Sequence, residues 1–314
     1  MTDAAESRGR DGARPRTARR PRLSDGAFGW VLVAPVLLIL AAVFAYPIIS
    51  TGLTSLTDAR LQAPGLSAGV GLSNYTDFLR SPEFWQAIGR TAYFTIVSVV
   101  IELILGIGIA ALIQRRFAGW RLLRIAIIIP WAVPTIAMAT MWRWIFNADY
   151  GALNGLLYQL GAIDNYVAWL SDPAAAMNWI IVADVWHSTP FVVLISIAAM
   201  ATIPGELYEA ARIDGASRWG SFRHITIPLL RPAILVVLVV RTVEAFRVFD
   251  IIYVITAGGP ANGTQVVSYL AYQETFRFFN MGRGAALSFL ISLFVLAAAF
   301  VYIRVLSGRR GSAG

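Results

Sequence analysis

Six stretches of this 314-residue chain are predominantly apolar for about 20 residues or more, at roughly 27–50, 91–113, 122–146, 177–202, 232–256 and 284–306. A helix crosses the hydrocarbon core of a bilayer with about 20 such residues. The pattern therefore predicts an all-α membrane protein with six transmembrane helices and a spanning domain over 27–306. The first stretch exceeds the apolar core of about 7–15 residues in a secretory signal, so it is expected to remain as an anchor that spans. Residues 1–26 are polar and have almost nothing to bury, which predicts a disordered, Arg-rich tail. Residues 307–314 form a second short tail.

Composition agrees with this class. Apolar residues make up 57% of the chain and charged residues 14%, against about 25% charged in soluble domains. The charges fix an orientation. Seven Arg lie in the first tail, followed on the same side by Arg115, Arg116, Arg121 and Arg124, by Arg212, Arg218, Arg223 and Arg231, and by Arg304, Arg309 and Arg310. The opposite loops hold only Arg60, Arg80, Arg90, Arg277 and Arg283, and the loop 147–176 holds none. Basic residues concentrate on the cytoplasmic side, so both termini are expected inside (N-in/C-in), with the Arg-rich tail close to membrane lipid.

The charges also narrow the chemistry. Every basic residue is Arg and Lys is absent, so neither the phosphate-binding Lys of a P-loop nor a Schiff base is available. Cysteine is absent too, and His187 and His224 lie far apart. No catalytic constellation, metal site or cofactor of the chain's own is expected.

Two polar segments have readable local structure. In Ser81-Pro82-Glu83, Ser suits an N-cap, Pro the first helical position and Glu the positive helix end, so a helix is expected to start there. Gly71-Leu72-Ser73-Asn74-Tyr75 reads as a turn. Between the fourth and fifth stretches, residues 203–231 form a charged insert on the cytoplasmic side. Pro204-Gly205 breaks the fourth span, and Glu206–Ile213 reads as a short helix with Leu207, Ala210 and Ala211 on one face. Gly215 ends it. Ser217 caps a second short helix carrying Trp219, Phe222 and Ile225, which Pro228 is expected to stop. The prediction is a helix-turn-helix with exposed apolar side chains framed by Arg.

The segment EAARIDGASRWGSFRHITIP resembles the signature loop of the membrane subunits of binding-protein-dependent ABC importers. Glu209, Ala210, Ala211, Gly215, Ile225, Ile227 and Pro228 match its fixed positions. GLSNY at 71–75, the pair Pro130 and Pro134, and FDIIYVITAGGP at 249–260 are similar to the carbohydrate branch, in particular its maltose- and trehalose-type first subunits. The resemblance implies a multi-pass subunit of a bacterial cell membrane that performs no covalent chemistry. Its implied partners are a second homologous permease, a cytoplasmic ATPase dimer that binds ATP and Mg, and an extracytoplasmic sugar-binding protein; nucleic acid is not among them. Glu209, Ala210, Ala211, Asp214, Gly215, Trp219, Ile225 and Pro228 become the coupling site, with Glu209 as docking acid and Gly215 as hinge. The implied cargo is a disaccharide or short oligosaccharide such as trehalose or maltose.

Charge inside a membrane is costly and marks function. Arg241, Glu244, Arg247 and Asp250 recur every three residues with alternating sign, so each is expected to pair with the next. Phe246, Asp250 and Tyr253 are expected on one stripe, offering aromatic faces and an acid to a sugar. Asp184 either pairs with Arg143 or lines the same path; Glu102 is expected to partner an Arg, and His187 to be a packing residue. Interhelical glue is the other reading of these charges, behind a lining of the path, and an ion-coupled secondary transporter using Glu244 and Asp250 is the alternative function. Trp142 and Trp144 are expected in an interfacial belt. Pro130, Pro134 and Pro190 are expected around one shared cavity at the midplane, and the small pairs Gly106/Ala110 and Gly284/Ser288 at close helix contacts.

Overall fold

The computed structural model describes residues 25–63, 65–113 and 119–307. The expected disordered tail lies outside the described residues except for Asp25 and Gly26, which open the first helix; of the tail expected at 307–314, only Ser307 is described. The chain divides into two units, 1–50 and 51–314. In the first, α1 (Asp25–Ser55) runs up to and past the boundary, apolar on every face and containing Pro35 and Pro47. A helix without a polar face is a bilayer or deep-core helix.

The second unit holds α2 (Ser73–Arg80), α3 (Pro82–Ile113), α4 (Trp120–Ala132), α5 (Thr135–Ile145), α6 (Ala152–Gln159), α7 (Pro173–Met200), α8 (Gly205–Ile213), α9 (Arg218–Ser221), α10 (Ile227–Phe246), α11 (Asp250–Ile255), α12 (Val267–Tyr272) and α13 (Met281–Ser307). Five helical stretches among the described residues are long and apolar enough to span a membrane, six when the bent pair α4–α5 counts as one span. α3 and α7 lie side by side at the centre. α10 packs against both and against α13, α4 lies on α7, α5 on α11, and α12 joins α13 and α3.

Small residues permit these contacts. A Cβ on Gly106 would stand 2.6 Å from Val192 Cβ across the α3–α7 seam, and one turn on Ala110 is fully buried. Gly284 of α13 faces Thr275 and the Ala271 carbonyl with no room for a side chain. The seams are where the two small-residue pairs placed them. α3 begins at Pro82 as expected, with the Phe84 N–H donating to Ser81 Oγ at 3.4 Å. The 71–75 segment is more than a turn: Ser73 opens α2, and the Asn74 amide ties it to the Ser55 and Thr57 carbonyls, each at 2.9 Å.

Two expected spans are not continuous. The third bends by 99° between α4 and α5. Pro134 excludes its predecessor from helical geometry, and Val133 accordingly has ψ 129°. The fifth breaks after Phe246 and resumes at Asp250, with Phe249 at φ −137°, ψ −57°. Pro228, conversely, does not stop the second short helix. α9 passes through a π-helical turn, Phe222–Thr226, directly into α10. Pro lacks the N–H that a helical turn needs, and the widened turn before it accommodates that loss.

Candidate functional site

Four charged side chains from three helices meet inside the second unit. Arg241 of α10 grips Glu102 of α3 with two parallel bonds, Nε to Oε2 at 2.7 Å and Nη2 to Oε1 at 2.8 Å. Nη2 also reaches Asp184 Oδ2 of α7 at 3.2 Å, and Nη1 reaches Glu244 Oε2 at 2.7 Å. Glu102 is fully buried and Arg241 nearly so, whereas the Glu244 side chain is 58% exposed. A forked guanidinium suits this task because its donors match a carboxylate's two oxygens. Glu102 thus takes the Arg partner expected of it. Asp184 pairs with Arg241 rather than Arg143, whose Nη1 donates to the Val254 carbonyl at 3.3 Å.

The charge ladder is realised only in its first rung. Arg241 and Glu244 bond, but α10 ends before Arg247, and the break turns the later members off the helical register. Among the described residues neither Arg247 nor Asp250 has a side-chain hydrogen bond or ion pair. Both instead line a cavity of about 290 Å³ with Asp184, Arg241 and Glu244, closed by Trp131, Thr135, His187, Ser188, Phe191 and Phe249. The single stripe expected of Phe246, Asp250 and Tyr253 fails for the same reason. Phe246 points away into an apolar cluster with Phe84 and Leu287, stacked on Phe294 at 6.2 Å. Tyr253 joins an aromatic group beside Phe249. The structure thus brings Asp184, Glu244, Arg247 and Asp250 to one cavity and leaves Phe246 and Tyr253 outside its lining.

Both helix breaks border this cavity, and at each a side chain from another helix meets one of the released carbonyls. His187 Nε2 lies 3.1 Å from the Val133 carbonyl, which can only accept, so Nε2 carries the proton of that bond. Ser268 Oγ donates to the Val248 carbonyl. The three prolines do not share this cavity. Pro130 and Pro190 line a separate apolar groove of about 540 Å³ between α3, α4 and α7, and Pro134 is carried off at the bend. Trp142 is no belt residue: it packs between Phe146 and Trp186, at 5.1 and 5.8 Å, while Trp144 is exposed. The sequence held one unread signal for the cavity. Asp184, His187, Ser188 and Phe191 stand at i, i+3, i+4 and i+7, the spacing of one helix face.

The second element lies at the far end of α3. α8 ends in a Schellman closure, with the Ala216 N–H on the Ala211 carbonyl at 2.8 Å and the Gly215 N–H on the Arg212 carbonyl at 3.1 Å. Gly215 takes the left-handed conformation this requires, φ +78°. Ser217 Oγ then accepts from the Gly220 N–H at 3.1 Å and starts α9. The Tyr208 hydroxyl meets Thr226 Oγ1 at 2.9 Å and fixes the angle between α8 and the helix that follows. Glu209, Ala210, Asp214, Gly215 and Trp219 are exposed, Ala211, Ile225 and Pro228 half-buried, and Trp219 stacks on Phe222 at 5.6 Å. The element is rigid inside and presents Ile213 and Trp219 outward, 87% and 69% exposed.

Residues 102–310 match the family described as the binding-protein-dependent transport system inner membrane component. The chain belongs to this family. The match begins at Glu102 and contains both the charged cavity and the α8–α9 element. Across 289 residues the chain is 40% identical to the trehalose/maltose transport system permease protein MalF of Thermococcus litoralis, covering 91% of this chain and 96% of that one. It is 37% identical over 284 residues to the trehalose transport system permease protein SugA of Mycobacterium tuberculosis, covering 90% of each. In fold it resembles a chain of a bacterial ABC transporter involved in the import of the acidic polysaccharide alginate, with a TM-score of 0.76 at 21% identity, covering 91% of this chain and 96% of that one. The family description and the apolar helices make it a multi-pass inner-membrane transport component.

Proposed function

We propose that this chain is the permease subunit of an ATP-driven importer of a disaccharide or short oligosaccharide, trehalose or maltose being the first candidates. The observation that carries the reading is the pairing, within one chain, of a charged cavity between two broken helices and a rigid, exposed α8–α9 element. The cavity offers carboxylates and a guanidinium to sugar hydroxyls, with Asp184, Glu244, Arg247 and Asp250 as its polar contacts. The α8–α9 element has the build of a docking knob: Glu209 and Asp214 exposed, Trp219 outward, Gly215 fixing the bend. A cytoplasmic ATPase dimer holding ATP and Mg would grip it, and a second permease subunit would complete the path. The names of the relatives support the sugar, and a solved alginate transporter in complex with an alginate pentasaccharide-bound periplasmic protein supports a binding protein on the outer side. The chain itself would do no covalent chemistry.

Reconstitution of the complete importer in proteoliposomes tests this. Labelled trehalose or maltose enters only with ATP inside the cytoplasmic compartment and binding protein outside. Uptake driven by a proton or sodium gradient without ATP would replace this reading with the ion-coupled one. Because the chain has no cysteine, single-cysteine variants at Trp219 and Ala261 read the orientation directly. An impermeant thiol reagent should reach Cys at 219 only from the cytoplasmic side and Cys at 261 only from the other.

A further inference from the structure

An arc of aromatic rings runs from the cavity towards the end of the molecule opposite α8–α9. Phe249, which lines the cavity, lies 5.4 Å from Tyr253 and 5.1 Å from Tyr272 by ring centroids. Tyr272 lies 5.4 Å from Tyr253 and 5.3 Å from Phe276. The rings are thus contiguous, each within stacking reach of the next. Tyr269, fully buried, backs Tyr253 and Tyr272 from beneath at 6.4 and 6.0 Å. That floor leaves outer faces open: Tyr253 is 42% and Phe276 57% exposed. The depth of the arc follows from α3. The Val267 N–H at the start of α12 donates to Thr91 Oγ1 at 2.9 Å. Thr91 stands twenty residues before Ala111, which lines the hollow beneath α8 and α9. Twenty helical residues rise about 30 Å, the thickness of the hydrocarbon core.

Resting on the sugar-import reading above, we infer that Phe249, Tyr253, Tyr272 and Phe276 form a sugar-stacking track, which receives a pyranose ring at the outer end and hands it to the charged cavity. An aromatic face binds the C–H surface of a sugar ring without fixing its hydroxyl pattern. It can therefore pass the ring along, while the cavity gathers the carboxylates and guanidinium groups that hold it. The side chains of the arc are themselves rings with at most one hydroxyl each. Single Arg side chains flank it, Arg143 donating to the Val254 carbonyl beside Tyr253 and Arg277 directly following Phe276, while the cluster of opposed charges that includes Arg247 and Asp250 comes where Phe249 ends it. A track of weak successive contacts followed by a polar site is the arrangement that lets a solute move inward without being trapped on the way.

The test uses the complete importer with Phe276→Leu, Tyr272→Leu and Tyr272→Phe. Leucine keeps apolar volume but has no aromatic face; phenylalanine keeps the face. The readout is sugar imported per ATP hydrolysed, with the ATPase rate elicited by binding protein as the internal control. Each Leu variant should lower that ratio about threefold to tenfold, the scale of one ring contact, at an unchanged ATPase rate. Tyr272→Phe should stay within about twofold of the unaltered protein. Unchanged ratios in the Leu variants would overturn the track while leaving sugar import standing. So would loss of assembled complex at an unchanged ratio, which would make the arc a packing surface. Absence of ATP-driven sugar uptake in the unaltered importer would instead overturn the functional reading beneath it.

Discussion

Replacing Arg241 with Met removes the cation that, among the described residues, pairs with Glu102, a carboxylate with no exposure at all. The geometry separates the cost into unequal parts. The bonds to Glu102 and to Asp184, whose side chain is 13% exposed, join groups largely withdrawn from water, so their loss leaves two stranded acids between α3, α7 and α10. Breaking such a buried pair from one side costs about 3–5 kcal/mol. The bond to Glu244 ends on a side chain 58% exposed, and a pair of that kind contributes about 0–1 kcal/mol. Arg241→Met should therefore lower the melting temperature of the detergent-purified complex by roughly 6–20 °C, taking about 2–4 °C per kcal/mol for a chain of this size, while Glu244→Gln should move it by no more than about 4 °C. Adding Glu102→Gln to Arg241→Met removes one of the two stranded charges, Asp184 keeping the other, and should restore about 1–3 kcal/mol, so the double variant melts above the single one. If Arg241→Met and Glu244→Gln fall equally, or if the double variant loses the sum of its parts, the network is not the buried tie described here.

Three further outcomes follow from the geometry. A Gly215→Val variant must hold a β-branched residue at φ +78°, at about 1–2 kcal/mol; nothing stands within 4 Å of an added Cβ, so the effect is a distorted hinge, read as ATP hydrolysis without sugar uptake. Gly215→Asn should be milder, and full uptake in Gly215→Val would refute the hinge. His187→Ala strands the Val133 carbonyl at the α4–α5 bend, a loss of about 1–3 kcal/mol by thermal melting, and His187→Gln, which keeps a donor, should recover part of it. Gly106→Val meets Val192 across the α3–α7 seam and should reduce the amount of folded protein recovered from membranes, whereas Gly108→Val, where an added Cβ meets nothing within 4 Å, should not.

Helix content, the number of apolar spans and the α8–Gly215–α9 element were legible because each rests on local rules. Span length follows from apolar count, and a left-handed Gly before a Ser cap leaves few alternatives. The seams at Gly106 and Gly284 were legible for a similar reason, since small residues at helical spacing point to close approach. The charged cavity was only half legible. Its acids and Arg were visible as costly residues, but their partners lay 57 and 139 residues apart along the chain, a distance no periodicity reports. The ladder from Arg241 to Asp250 was misread because it assumed an unbroken helix, and nothing at Arg247–Phe249 announces a break: no Pro or Gly stands there. The break is held instead by tertiary contact, with Ser268 of α12 taking the Val248 carbonyl.

That contact bears on why the cavity is where it is. Within a bilayer a helix interrupts itself only where the released backbone groups find protein or a wet cavity. Here the two interruptions, at Val133–Pro134 and Arg247–Phe249, border the same cavity, and at each one released carbonyl is met by a side chain from another helix, His187 of α7 and Ser268 of α12. α5 packs on α11, so the segments beyond the two breaks are in contact with each other. Arg241, Glu102 and Asp184 lie on the unbroken sides of α10, α3 and α7, which are tied together by the guanidinium. The cavity thus has one wall tied by buried charge and one wall built from two short helices that follow the breaks.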